Sequence, residues 1–423
     1  MRSIVPSAAV LRQKFTLVSS LRAQGFTVAA AGGKPQPGEL YLVAEGEPVS
    51  APARTVILGD DGRYVTPSRD GAPARVGYDS SDAAVGNAFV RALVAEAEAP
   101  TAADPESLAL YALAERVAQA DITVLINGPT GTGKEVLART IHLASERRDK
   151  PFIAINCAAL PESMLEAMLF GHQKGAFTGA SSGGEGFFRA AHGGTLLLDE
   201  IAEMPIQLQA KLLRALQERE VVPIGATMPQ AVDVRVVACA NRDLQAEVAA
   251  GRFRADLYYR LSVFPLSTRA LAERPQDIPA LAATMILRHA GTRAAVPWPS
   301  DAAIARLVAH DWPGNVRELE NVIQRALLFA GGDTIEADHI VFDRPSPAPR
   351  VAPLGGGDDN TLGQVVQFSE FAAIRETLAA CGGSRIETAK RLGISERTLR
   401  YRLAKAREQG DDLAAGTSRM LSA

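Results

Sequence analysis

The stretch "ITVLINGPTGTGKEVLARTIHLA" (residues 122–144) decides the fold. "ITVLIN" (122–127) is mostly apolar and reads as a buried strand, and "EVLARTIHLA" (135–144) reads as a helix. Between them lies "GPTGTGK" (128–134), a glycine-rich turn that ends in a lysine. A strand leading through such a turn into a helix is the P-loop arrangement. Backbone N–H groups of the loop curl around phosphate oxygens, the helix N-terminus adds a favourable dipole, and the lysine reaches the outer phosphates. The candidate nucleotide-binding residues are therefore Gly128, Gly131, Thr132, Gly133, Lys134 and Glu135. Glu135 stands where a serine or threonine commonly ligates magnesium.

Outward from this loop, "FIAINC" (152–157), "GTLLLDE" (194–200) and "VRVVACAN" (234–241) read as further buried parallel strands, and "QLQAKLLRALQE" (207–218) as an amphipathic helix. Strands alternating with helices predict an α/β fold with helices on both faces of the sheet. "TLLLDE" ends on Asp199 and Glu200. The first carboxylate at a strand's end can hold Mg²⁺ and the second can polarise the water that attacks a γ-phosphate. Asn241, ending its strand, is placed to orient that water or to sense the γ-phosphate. Arg254 and Arg260 in "FRADLYYRL" (253–261) could neutralise transition-state charge from a neighbouring subunit.

The chain of 423 residues has room for two or three domains, and its 47% hydrophobic and 22% charged content suits a globular protein. The net charge of −3 gives no global sign of nucleic-acid binding. Cys157, Cys239 and Cys381 lie far apart and outside any zinc spacing, which fits a reducing cytoplasm. No apolar run suggests a signal peptide or a membrane span. Seams at 96–106 and at the proline- and glycine-rich 344–360 divide the chain into three blocks.

From about 107 to about 342 the chain resembles the AAA+ domain of sigma-54-dependent transcriptional activators. The resemblance rests on "GPTGTGKE", "INCAALPESMLEAMLFGHQKGAFTGA", "GGTLLLDEIAEMPIQLQAKLLRALQE", "ANRDL", "GRFRADLYYRLSVFPL" and "DWPGNVRELENVIQRAL", in the family's order and spacing. The family's P-loop usually ends in lysine–glutamate, which accounts for Glu135; Pro129 and Thr130 replace a more usual glutamate–serine pair. The resemblance implies that Lys134 binds phosphate, Asp199 holds magnesium and Glu200 polarises water. Asn156 would pair with that glutamate and couple nucleotide state to the loops. Asn241 would be the first sensor and Arg317 in "GNVREL" the second, while Arg254 and Arg260 would act across a subunit interface. It also implies a closed ring, a hexamer or close to it. "GAFTGA" (175–180) would be the loop that grips the sigma-54 subunit of RNA polymerase, with Phe177 making an apolar contact and Thr178 adding a hydroxyl. ATP turnover would then remodel the closed promoter complex to an open one.

"GSRIETAKRLGISERTLRYRLAKAREQG" (383–410) has helix–turn–helix spacing, with Ala389 at a close-packed position, Gly393 at the turn and Leu399 facing the core. Residues 385–407 carry eight basic side chains against two acidic ones, a local patch that the overall charge hides. Ser395 would cap a helix entering the major groove of double-stranded DNA, and Arg397, Thr398, Arg400 and Arg402 are the candidate contacts. The block (361–410) resembles the Fis-type domain these activators carry, dimerised through a preceding helix near 363–380, and looks most like the versions in flagellar regulators. The N-terminal block (1–95) resembles a receiver domain in "LVSSLRAQGFTVAAA" (17–31) and in a last helix near 84–99. It lacks the acid pair after its first strand and the aspartate after its third. The expectation is a degenerate receiver-like module, controlled by a partner protein or serving assembly; an unrelated small α/β domain is the other reading. Two rival functions remain on sequence, an AAA+ protein unfoldase and a repressor with an inert ATPase; the helix–turn–helix opposes the first and the intact Lys134, Asp199 and Glu200 the second.

Overall fold

In the computed structural model, which describes residues 3–30, 36, 38–96, 98–176, 182–291, 293 and 295–342 and beyond them 377, 384, 388, 389, 391 and 399, the chain opens on a six-stranded sheet. Its elements are β1 (Ser3–Pro6), α1 (Ala8–Gln13), α2 (Phe15–Ala23), β2 (Thr27–Val28), β3 (Glu39–Ala44), β4 (Thr55–Gly59), β5 (Tyr64–Thr66), β6 (Ala74–Gly77) and α3 (Ala83–Val94). The order is β2-β1-β3-β4-β6-β5, parallel except for the antiparallel edge strand β5. Its five parallel strands follow the order of flavodoxin-like doubly wound sheets, which is the receiver arrangement. Among the described residues, α-helices occur only before β2 and after β6. Ile4, Leu42, Leu58 and Val76 turn to the face that α2 and α3 cover. Ser7 follows β1 and Glu45 follows β3, so the acid pair and the aspartate of a working receiver are absent there. Instead Lys14 reaches Asp60 just beyond β4 at 2.9 Å and donates to the Tyr78 carbonyl beyond β6 at 2.6 Å.

The second sheet carries the glycine-rich loop. It is built by α4 (Pro105–Ala118), β7 (Val124–Asn127), α5 (Lys134–Leu143), β8 (Phe152–Asn156), α6 (Glu162–Phe170), α7 (Phe187–Ala190), β9 (Thr195–Asp199) and α8 (Ile206–Glu218). There follow a short pair β10 (Glu220–Val221) and β11 (Gln230–Ala231), then β12 (Arg235–Ala240), α9 (Leu244–Ala249), α10 (Ala255–Leu261) and β13 (Phe264–Ser267). The sheet is parallel in the order β13-β7-β12-β9-β8. All four strands read from the sequence are present, and β13 was not foreseen, since "FPL" is short and proline-broken. Strand alternation splits the core in two. Leu125, Leu196, Leu198 and Val236 face α6, α8 and α10, whereas Ile126, Leu197 and Val237 face α4 and α5.

A helical lid follows: α11 (Asp277–His289), β14 (Trp298–Pro299), α12 (Asp301–Val308), α13 (Asn315–Phe329) and β15 (Thr334–Ile335). The N-terminal module does not hang from a tether. Phe89, Val90 and Val94 of α3 share one apolar cluster with Ala282, Met285 and Ile286 of α11 and with Trp298. The Phe89 and Trp298 rings lie 5.1 Å apart, Val296 N–H donates to Val65 O at 2.9 Å, and Arg63 bridges Asp82 and Asp301. The seam at 96–106 is held as well. Arg91 donates to the Pro100 carbonyl and the Thr101 hydroxyl, and buried Asp277 accepts from Ala103 N, Asp104 N and Ser107 Oγ. The chain accordingly forms two compact units, Met1–Asp343 and Arg344–Ala423. In the second, Ala389 and Leu399 are buried as the helix–turn–helix spacing predicts, and Thr388 N–H bonds back to Ser384 O in a helical turn.

Candidate functional site

The loop at 128–134 is folded by its glycines. Gly128, Gly131 and Gly133 have φ of 147°, 78° and 99°, and a Cβ on Gly128 would fall 2.1 Å from Thr268 Oγ1. Thr132 is buried, its hydroxyl bonded to Pro129 O at 2.9 Å and to Thr268 Oγ1 at 2.7 Å. Lys134 opens α5 and donates to Gly128 O (2.8 Å) and Pro129 O (3.0 Å). Burial lowers its pKa, opposed by the charges of Asp199 and Glu200. Glu135 points outward and pairs with Arg139 at 3.4 Å.

Strand order does the rest. β7, β12, β9 and β8 are neighbours, with Ala240 level with Asn127 and Asn156 level with Asp199. Their carboxyl ends therefore present the loop, Asn241, the Asp199–Glu200 pair and Asn156 in a row, each step about 4.8 Å. Burial raises the Asp199 carboxyl pKa from its ordinary value, while the Glu200 backbone N–H and Lys134 pull it back. Glu200 sits in the left-handed region at φ 52°. Asn241 Oδ1 is buried with no hydrogen-bond partner. Asn156 Oδ1 accepts from the Ala158 N–H at 2.8 Å. An orphaned amide, a lysine held on loop carbonyls and two carboxylates fit a magnesium nucleotide.

The arginines divide by location. Arg317 on α13 is exposed beside the loop; a Cβ on Gly131 would lie 3.4 Å from Arg317 Cβ. Arg254 pairs with Asp256, and Arg260 donates to Leu216 O at 2.9 Å. Arg260 lines a cavity of about 240 Å³ with Thr123, Val234 and Arg235, at the amino ends of β7 and β12. That is the opposite sheet edge from the loop, a strand length of about 13 Å away.

Phe177 and Thr178 lie outside the described residues, but the root of their segment is described. His172 and Gly184 exchange two backbone hydrogen bonds at 3.1 and 3.0 Å, and a Cβ on Gly184 would strike the His172 ring. Gln173 N–H also donates to Ile224 O at 2.9 Å, from the loop between β10 and β11. This second loop escaped the sequence reading, as did Arg274 and Asn315, which link lid to P-loop, and Asp277, which pairs with Arg274; a lone buried polar residue leaves no periodic trace. Arg397, Thr398, Arg400 and Arg402 also lie outside the described residues.

Comparison with known proteins agrees with this fold. Residues 101–267 match the Sigma-54 interaction domain, 272–349 the AAA+ ATPase lid domain, and 366–405 the bacterial regulatory protein, Fis family. The chain is 52% identical over 344 residues to the response regulator protein FleR of Pseudomonas aeruginosa, covering 76% of this chain and 72% of FleR. It is 45% identical over 335 residues to the transcriptional regulatory protein FlbD of Caulobacter vibrioides, covering 76% and 74%. It is 43% identical to the sigma54-dependent transcriptional activator SfnR of Pseudomonas putida, covering 71% and 86%. Among solved structures, NtrX from Brucella abortus in complex with ATP aligns at TM-score 0.53 and 25% identity, over 95% of this chain and 99% of that one.

Proposed function

This chain belongs to the sigma-54-dependent transcriptional activators, and on that premise we propose how its residues divide the work. It is an AAA+ ATPase that binds ATP, acts on sigma-54 RNA polymerase and carries a Fis-type DNA-binding domain. The observation that carries the assignment of roles is the row across the carboxyl ends of β7, β12, β9 and β8. Loop N–H groups and Lys134 hold the β- and γ-phosphates. Glu200 takes the proton of the attacking water, and Asn241 orients that water. Asp199 would hold Mg²⁺, which when bound spreads charge over the phosphate oxygens. Asn156 stands next in the row and passes the change at Glu200 outward.

Arg260, at the far sheet edge, cannot reach the phosphates of its own chain, which supports Arg254 and Arg260 acting on a neighbour in a closed ring, a hexamer or close to it. Arg317 completes the site from the lid. Phe177 and Thr178 contact sigma-54, and turnover moves them through the root at His172 and Gly184. Residues 1–95 form the regulatory module, on which a partner protein acts; 107–342 form the ATPase, and 361–410 bind DNA upstream of the promoter through Arg397, Thr398, Arg400 and Arg402. The resemblance of the C-terminal block to the versions in flagellar regulators supports flagellar operons as the targets.

The test is a pair of variants. Glu200→Gln should bind ATP and abolish turnover. Phe177→Ala should keep ATPase activity and lose ATP-dependent open-complex formation. A Phe177→Ala protein that still opens sigma-54 promoters refutes the loop assignment.

A further inference from the structure

The lid touches the P-loop in a regular way. Asn315 Nδ2 donates to Thr130 O at 2.9 Å, Val316 N to Gly131 O at 2.9 Å, and Arg274 Nη2 to Thr132 O at 2.7 Å. Three consecutive loop carbonyls thus accept from lid residues, and the two before them, Gly128 and Pro129, accept from Lys134. In a trans peptide the C=O of one residue and the N–H of the next point in opposite directions. Fixing carbonyls 130, 131 and 132 toward the lid therefore aims the N–H groups of Gly131, Thr132 and Gly133 the other way, as a phosphate nest requires.

The donors are themselves held. Arg274 and Asp277 form a buried pair at 3.2 Å, 8% and 0% exposed. Asn315 Oδ1 accepts from Leu271 N at 2.8 Å, and Asn315 adopts φ 53°, a left-handed conformation that asparagine tolerates. The approach is close enough that a Cβ on Gly131 would sit 2.6 Å from Gly314 O.

We propose that Asn315 and Arg274 are positioning residues for nucleotide binding, whose bonds to Thr130 O and Thr132 O set the P-loop N–H groups for the phosphates. They touch no phosphate themselves. The inference rests on the reading of this site as the ATP site. A nest preset before binding stabilises ground and transition states alike, so its loss raises KM and leaves kcat.

The experiment measures binding of a fluorescent ADP to the full chain, ATP steady-state kinetics, and thermal unfolding without nucleotide. Failure of the unaltered chain to bind ADP would refute the site, not this inference. Asn315→Asp keeps the acceptor for Leu271 N–H and loses the donor to Thr130 O. Arg274→Lys keeps the charge beside Asp277 but loses the planar fork that serves both partners. Each should weaken ADP binding and raise KM by about tenfold, with kcat within about twofold. Glu320→Ala is the control: it removes the His289–Glu320 contact within the lid, away from the P-loop, and should lower the unfolding temperature while leaving ADP affinity unchanged. If Asn315→Asp does not fold, Arg274→Lys alone decides. A folded variant that binds ADP as the unaltered chain does, or one that loses kcat with KM unchanged, overturns the proposal.

Discussion

Phe89 lies in the N-terminal module, yet its ring packs 5.1 Å from Trp298 of the lid. Both residues are buried in a single cluster, at 0% and 2% exposure. Truncating Phe89 to alanine removes most of a fully buried aromatic ring and should destabilise that cluster by about 3–5 kcal/mol. With a urea m-value of about 3 kcal/mol/M for a unit of this size, the unfolding midpoint falls by about 1–1.7 M. The assay is built into the chain. Trp298 and Trp312 are its two tryptophans, and both are buried in the lid. Tryptophan fluorescence therefore reports lid unfolding, while the substitution lies in the module. If the two share a core, Phe89→Ala shifts the tryptophan transition by the full amount, together with the circular dichroism transition. A tryptophan midpoint that stays in place while module signal is lost at lower urea would show two independent bodies and refute the reasoning.

Other outcomes follow from the site. Arg260→Ala and Lys134→Ala should each be inactive alone, yet an equal mixture should recover part of the turnover, because one subunit supplies the arginine and its neighbour the lysine; no recovery would place Arg260 outside the shared site. Gly131→Ala forces a left-handed backbone and a contact at 2.6 Å with Gly314 O, and should weaken ADP binding in a fluorescence titration by about tenfold or more. Burial pushes the Cys157 thiol up to about 12 and the Cys239 thiol higher still. Both are therefore protonated at pH 8, and a Cys381→Ser chain should resist thiol reagents until unfolded by urea.

The sequence made the nucleotide sheet legible because each of its signals is local and periodic. β7, β9 and β12 are short apolar runs closed by a glycine, an acid and an asparagine, and a buried parallel strand leaves that trace in any chain. Glu200 and Asn241 were readable for the same reason, since a strand's end is visible in one dimension. What escaped is what depends on distant pairing. Arg274 and Thr132 are far apart in sequence, and nothing near either announces the other. The module's attachment to the lid was hidden too: α3 is apolar enough for one partner, and periodicity cannot say that the partner is α11 rather than its own sheet alone. The seam at 96–106 reads as a division between blocks because its residues are small and proline-broken, but backbone N–H groups of Ala103 and Asp104 can be captured whatever their side chains.

The common core of module and lid carries a consequence for descent. Recombination at residues 96–106 would join a foreign input module to a lid face that still presents Trp298, Met285 and Ile286, with nothing shaped to cover them. Such a hybrid is handicapped from birth, so this pair of segments should be inherited together. Homologues with the same arrangement should show substitutions at 89 answered at 298, and at 63 answered at 301, as compensated pairs across the seam.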